Sequence, residues 1–227
     1  MIDMSSVLSQ KSLLRLMQLS SASLPVGGYS FSQGLEYAID EGWLKTPADI
    51  REWLALAMQE SLANVDLPIL TRLLQAVEKN DTKNIEYWNA TLLACRETSE
   101  LTLTETAMGD ALKRLLTNMD IPVIQCQQPL SFIAGFAIAA HYWNIPAETA
   151  KVGLLWSWLE NQIAAATKLV PLGQTQAQAL LIELGDKIDD IIELADKVND
   201  SNIGSSLPGL AMASSWHETQ YSRLFRS

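Results

Sequence analysis

Apolar residues recur every three or four positions along nearly the whole chain, and alternating apolar and polar runs bounded by turn residues are hard to find. A helix brings every third or fourth side chain onto one face, whereas a strand inverts the face at each residue. The spacing therefore predicts an all-α fold. The first helix is expected over residues 9–20, with Leu13, Leu16, Met17 and Leu19 apolar. A second is expected from Ser30, capped by its own hydroxyl with Gln33 reaching back, and ending at Gly42. Thr46 and Pro47 read as N-cap and first position of a helix to about residue 63, and Asp66 with Pro68 opens a short one closing near residue 80. Residues 82–119 stay periodic for too long to be one element, and the Thr-rich piece 98–106 predicts a bend or break. A buried helix after Pro129, another over 147–169 and one long helix from Gln174 to about residue 200 complete the pattern.

The uncharged stretch 130–145, between Pro129 and Pro146, would span about 24 Å as a helix. That falls short of a hydrocarbon core of roughly 30 Å, so a buried core helix is expected and no membrane span. The first residues lack the basic start and apolar run of a signal peptide. Cys95 and Cys126 stand apart without a CxxC pair, which suits a reducing, cytoplasmic setting. Lys and Arg number 16 against 26 Asp and Glu, giving a net charge of −10. Such an excess argues against nucleic-acid binding, which needs a dense basic surface to displace phosphate counterions. Seven of those carboxylates fall between Glu183 and Asp200, against two lysines, and mark a solvated face or a docking surface for a basic partner.

Familiar catalytic signatures are missing. The sequence contains no GxxxxGK[ST] phosphate loop, GxGxxG, GxSxG, HExxH or EF-hand loop. Ile138 and Ser214 stand three residues before the two histidines, where a di-iron bundle needs Glu. His141 reads as a core or helix-end histidine, or as a ligand for a small substrate in a helical-bundle enzyme using buried carboxylates. Trp53, Trp88, Trp143, Trp156 and Trp158 fall at core spacings.

After residue 200 the composition changes. Small and turn-forming residues over 201–209 read as a flexible linker, and the aromatic, net-positive ending reads as a tail. Residues 1–200 thus form one helical-bundle domain and 201–227 a linker with a partner-binding tail. Trp216, Tyr221, Phe225, Arg223 and Arg226 are the residue types of interface hot spots. His217 beside Glu218 fits a partner contact, or a nickel-binding metallochaperone, although two ligands are too few to hold a metal tightly.

Four ordered stretches carry a family likeness. Leu24-Pro25-Val26-Gly27-Gly28-Tyr29-Ser30-Phe31-Ser32-Gln33-Gly34-Leu35-Glu36 resembles the N-terminal signature of UreF-type urease accessory proteins, with Gln33 where many relatives carry His. Cys95-Arg96-Glu97-Thr98-Ser99-Glu100-Leu101 with Met108-Gly109-Asp110-Ala111-Leu112 looks like the family's central helix. Lys168-Leu169-Val170-Pro171-Leu172-Gly173-Gln174 is similar to its late loop, and residues 217–227 to its C-terminus. In the first stretch Pro25, Gly27, Gly28, Ser30, Gln33 and Glu36 form the structural motif. The resemblance implies a dimeric, non-enzymatic chaperone that helps insert nickel into apo-urease. It would work with a UreD/UreH-type scaffold and a UreG-type GTPase, with nickel and GTP acting through those partners and no cofactor of its own. It implies that the tail residues, Trp216 to Arg226, meet the scaffold partner. Lys168, Gln174, Arg96 and Glu97 would face the GTPase or the dimer partner.

Overall fold

The computed structural model describes residues 8–124, 126–170 and 172–226. The chain start, Pro171 of the late motif and Ser227 lie outside them. Helix and turn account for all regular structure among the described residues, and no strand occurs there. Helix α1 spans Gln10–Leu19, α2 Leu35–Asp40, α3 Pro47–Leu56, α4 Leu67–Glu78, α5 Thr82–Ala94 and α6 Ser99–Asn118. Then follow α7 Phe132–Tyr142, α8 Ala147–Leu169, α9 Gln174–Gly185, α10 Ile188–Asp196 and α11 Pro208–His217. The uncharged α7 is the hub: Phe132 through Ala140 are all buried, and it packs against α1, α4, α5, α6 and α8. None of the described helices is long and apolar enough to cross a membrane.

Several expectations are corrected. Ser30 caps nothing; it ends a short 3-10 turn, Gly28–Ser30, and α2 starts five residues later behind Gly34. Gly34 takes φ +85°, and a Cβ there would lie 3.0 Å from the Ser214 amide nitrogen and 3.2 Å from the Leu210 carbonyl oxygen, so the glycine lets α11 approach. Thr46 caps α3 as expected, in a reciprocal box with Asp49. That helix does not stop near residue 63. It runs on through the π-helical stretch Ala57–Asp66 directly into α4. Pro68 has no N–H for the Asn64 carbonyl four residues back, and Gly204 N–H supplies a donor to it at 3.3 Å.

The expected break in 98–106 falls earlier, between α5 and α6, where the Thr98 hydroxyl accepts from Leu101 N–H. The threonines that follow stay helical by donating to carbonyls four residues back, as Thr102 does to Thr98 and Thr106 to Thr102. The long acidic helix is two, α9 and α10, separated at Asp186 and Lys187. Three carboxylates of its acidic stripe pair with the body: Glu183 with Arg51, Asp196 with Lys151 and Asp200 with Arg72. Trp88 and Trp143 are buried, whereas Trp156 is 38% exposed.

Candidate functional site

Helix α11 and the residues after it lie against α2 and α6. Four side chains organise this contact. His217 is wholly buried, with Nε2 3.0 Å from Glu36 of α2 and Nδ1 2.9 Å from Glu100 of α6. Glu36 also accepts the backbone N–H groups of Leu224 and Phe225, at 2.6 and 2.9 Å. Arg223 donates to Glu100 at 3.1 Å. Burial alone pulls the imidazole pKa down, but the hydrogen bonds and charges of Glu100 and Glu36 outweigh it, and the pKa lies above its ordinary value. An imidazolium has an N–H on each side for the two carboxylates, so the charged form matches this cage.

Around the cluster, the Thr98 and Ser214 hydroxyls bond at 2.7 Å, Ser99 donates to Glu218, and Arg226 N–H donates to the Ser30 carbonyl. Phe225 is buried with the Lys168 ammonium 5.3 Å from its ring centroid. Trp216 is 43% exposed and joins Tyr37 and Trp43 in an aromatic cluster with centroids 5.6 to 5.8 Å apart.

A second buried cluster lies where the π-helical stretch meets the start of α6. One amino group of Arg96 donates both to Asp66 and, at 2.8 Å, to Glu105. Glu105 also accepts the Ile133 N–H at the start of α7. Burial pushes the Asp66 carboxyl up, more than Arg96 pulls it down. Arg96, whose burial works against its charge, is held firmly protonated by Asp66 and Glu105. The cluster lines a cavity of about 110 Å³ walled also by Gln33, Trp158 and Gln162. Ser205 and Leu207 also line it, on a segment tied by Gly204 N–H to Asn64 and by the Ser206 hydroxyl to Glu97 at 2.9 Å.

A family model described as UreF matches residues 44–185. Urease accessory protein UreF of Marinomonas sp. (strain MWYL1) is 52% identical over 216 residues, covering 95% of this chain and 94% of the relative. The chain belongs to the UreF family. Urease accessory protein UreF of Hahella chejuensis is 47% identical over 95% of this chain and 98% of its own. That of Psychrobacter cryohalolentis is 41% identical over 99% and 98%. The family name is that of an accessory protein to an enzyme rather than of an enzyme.

In this UreF-family chain the residues singled out from sequence divide into two groups. The N-terminal motif, the tail and Lys168 meet: Glu36 holds the tail, Ser30 accepts from it, and Lys168 caps Phe225. Gly27 takes φ +77°, Pro25 is exposed, and Gly28 is buried where a Cβ would lie 3.1 Å from the Asn161 amide nitrogen. Gln33 turns away from the tail and accepts from the Trp158 indole N–H at 2.9 Å. Arg96 and Glu97 belong to the cavity instead, and Gln174 is exposed at the first position of α9.

The picture of a detached tail is corrected here, because Glu36 and Glu100 are buried and draw cationic and N–H partners from residues 217–225. Of the proposed contact residues, His217 and Phe225 face inward. Trp216, Glu218, Tyr221 and Arg226 are exposed, and Arg223 is partly so. His141 is exposed in the last turn of α7 and lines neither the cavity nor the tail cluster. Both His217 ring nitrogens face carboxylates, and no group of three or more His, Cys, Asp or Glu among the described residues is arranged to hold a metal ion. Asp66, Glu100 and Glu105 complete the two clusters, and motif and spacing do not single them out. Their signal in the sequence is a carboxylate on the apolar side of a helix, where a solvated one would not stand.

Proposed function

We propose that this chain acts as a chaperone in urease maturation, scaffolding the complex that inserts nickel into apo-urease and modulating its GTPase. Family membership over almost the full length, at up to 52% identity to proteins named urease accessory protein UreF, is the observation that carries this reading. Nickel and GTP act through the partners, a UreG-type GTPase and a UreD/UreH-type scaffold, while this chain, as a cytoplasmic homodimer, links their states. Such coupling needs no reactive group: a scaffold that binds one GTPase conformation better shifts that equilibrium by its differential affinity.

The exposed face of the tail, with Trp216, Tyr221 and Arg226, is the surface for the UreD/UreH-type scaffold. Large aromatic side chains and arginine supply most of the binding energy at interfaces of this kind. Lys168, whose ammonium lies over the Phe225 ring, and Gln174, exposed at the first position of α9, serve the GTPase or the second subunit in this reading.

The decisive experiment is urease activation from apo-urease, scaffold, GTPase, nickel and GTP, with this protein omitted and then restored. Activity returning only on restoration is the expected result; full activation without it overturns the proposal. For the tail, the double variant Trp216→Ala/Tyr221→Ala is the informative one, since deleting residues 216–227 would also remove His217 and Phe225 from the interior. Scaffold co-purification should fall about tenfold or more with the fold unchanged. Undiminished capture would remove the tail from the interface.

A further inference from the structure

The cavity beside Arg96 has a lining that the assembly role does not explain. Its charges are unequal. In the tail cluster two carboxylates, Glu36 and Glu100, face two basic side chains, His217 and Arg223. At the cavity two carboxylates, Asp66 and Glu105, share one guanidinium. Among the described residues no second basic side chain pairs with either carboxylate. Two uncharged polar side chains in the same wall are also unengaged. Gln162 is 3% exposed and Ser157 7% exposed, and neither side chain makes a hydrogen bond among the described residues. Buried amides and hydroxyls are almost always bonded, so polar groups opening into a cavity mark a place for a polar guest. Met108, Phe132 and Leu154 line the same space with apolar surface.

We propose that this cavity binds a small organic cation, an ammonium or amidinium head on a short apolar body. The head supplies the second positive charge for Asp66 and Glu105 and donates to the Gln162 carbonyl or the Ser157 hydroxyl. The body lies on Met108, Phe132 and Leu154. An anionic head is disfavoured by charge, because it would set a third negative group around one guanidinium. A bare metal ion is disfavoured by the lining, which offers no grouping of three ligating side chains and a largely apolar wall. Glu97, exposed and bonded to Ser206, also lines the cavity and adds a negative charge on its solvent side. The step is binding alone; no bond is made or broken. It is independent of the chaperone reading, and either can fail without the other.

Titration calorimetry on the purified full-length protein near neutral pH tests it, using propylammonium and methylguanidinium against their uncharged counterparts, propanol and N-methylurea, with potassium ion as a third arm. The Trp158 indole lines the cavity and its fluorescence supplies a second readout. Saturable binding of one or both organic cations is expected, with the uncharged counterparts and potassium silent. Gln162→Met keeps the volume and removes the amide, and Asp66→Asn keeps the shape and removes the charge. Asp66→Asn should weaken cation binding by at least about tenfold in a chain that still unfolds cooperatively. The proposal is overturned if neither cation gives a saturable signal, if the uncharged counterparts bind as well, if potassium produces the same response, or if Asp66→Asn leaves affinity unchanged.

Discussion

Two buried charge clusters sit on opposite ends of the N-terminal half of α6, one at Glu100 and the other at Glu105. At Glu100 the carboxylates are matched by His217 and Arg223, and the cluster closes the tail onto the body. At Glu105 they exceed the single guanidinium of Arg96, and the cluster borders a cavity. Taking charges out of water is costly unless each is paired and hydrogen-bonded, so matched charges fasten elements while unmatched ones leave an element responsive to protons or ligands. Five residues along one helix separate a fastening from a receptor.

The largest effect should come from Arg96→Met. It leaves Asp66 and Glu105 facing each other without a cation and should cost about 3–5 kcal/mol in denaturant unfolding. A loss under about 1 kcal/mol would mean that the carboxylates are far better solvated than their burial implies. His217→Ala should cost less, about 2–3 kcal/mol, because Arg223 and two backbone N–H groups still serve Glu100 and Glu36. Its signature is local: hydrogen exchange should rise in 208–226 while α7 stays protected.

The same residue sets a pH dependence. The folded-state pKa of His217 is raised by Glu100 and Glu36 over the opposing effect of burial, so its contribution is complete below the ordinary imidazole value of about 6.5. It fades as pH rises through the folded value. Trp216 fluorescence and exchange across 208–226 should report a loosening tail on the alkaline side, absent in His217→Ala. A tail that loosens on acidification instead would reverse the charge assignment of the imidazole.

The smallest effect sharpens the contrast most. Burial raises the Asp66 carboxyl, so keeping it ionised at neutral pH opposes folding, and Asp66→Asn should raise stability by about 1 kcal/mol or less. Glu100→Gln, in the matched cluster, should lower it by about 1–2 kcal/mol. Like signs for the two variants would erase the distinction between the clusters.

The helices of the body were legible because each buries one apolar stripe, and Thr46 with Asp49 shows how a cap read from sequence reappears in atoms. Ser30 misled because its neighbours Gly27 and Gly34 impose left-handed turns on either side, and those depend on what packs above them. The path of the tail was illegible for a similar reason. Nothing local tells His217 that Glu36, 181 positions away, is buried. Helical period is short-range information, whereas the pairing of buried charges is decided by which helices become neighbours. The cavity was hidden in the same way, since Asp66, Arg96 and Glu105 converge from three separate stretches of chain.

The contact between Ser30, Glu36 and residues 217–226 spans nearly the whole sequence. During synthesis the chain emerges N-terminal end first, and domains begin to fold as they appear. The carboxylate of Glu36 therefore waits for its partners until residues 217–225, nearly two hundred positions later, have emerged. A prematurely terminated chain would carry every helix through α10 yet leave Glu36 and Glu100 uncovered. The order of synthesis is thereby written into the interior of the molecule: carboxylates made early are covered late.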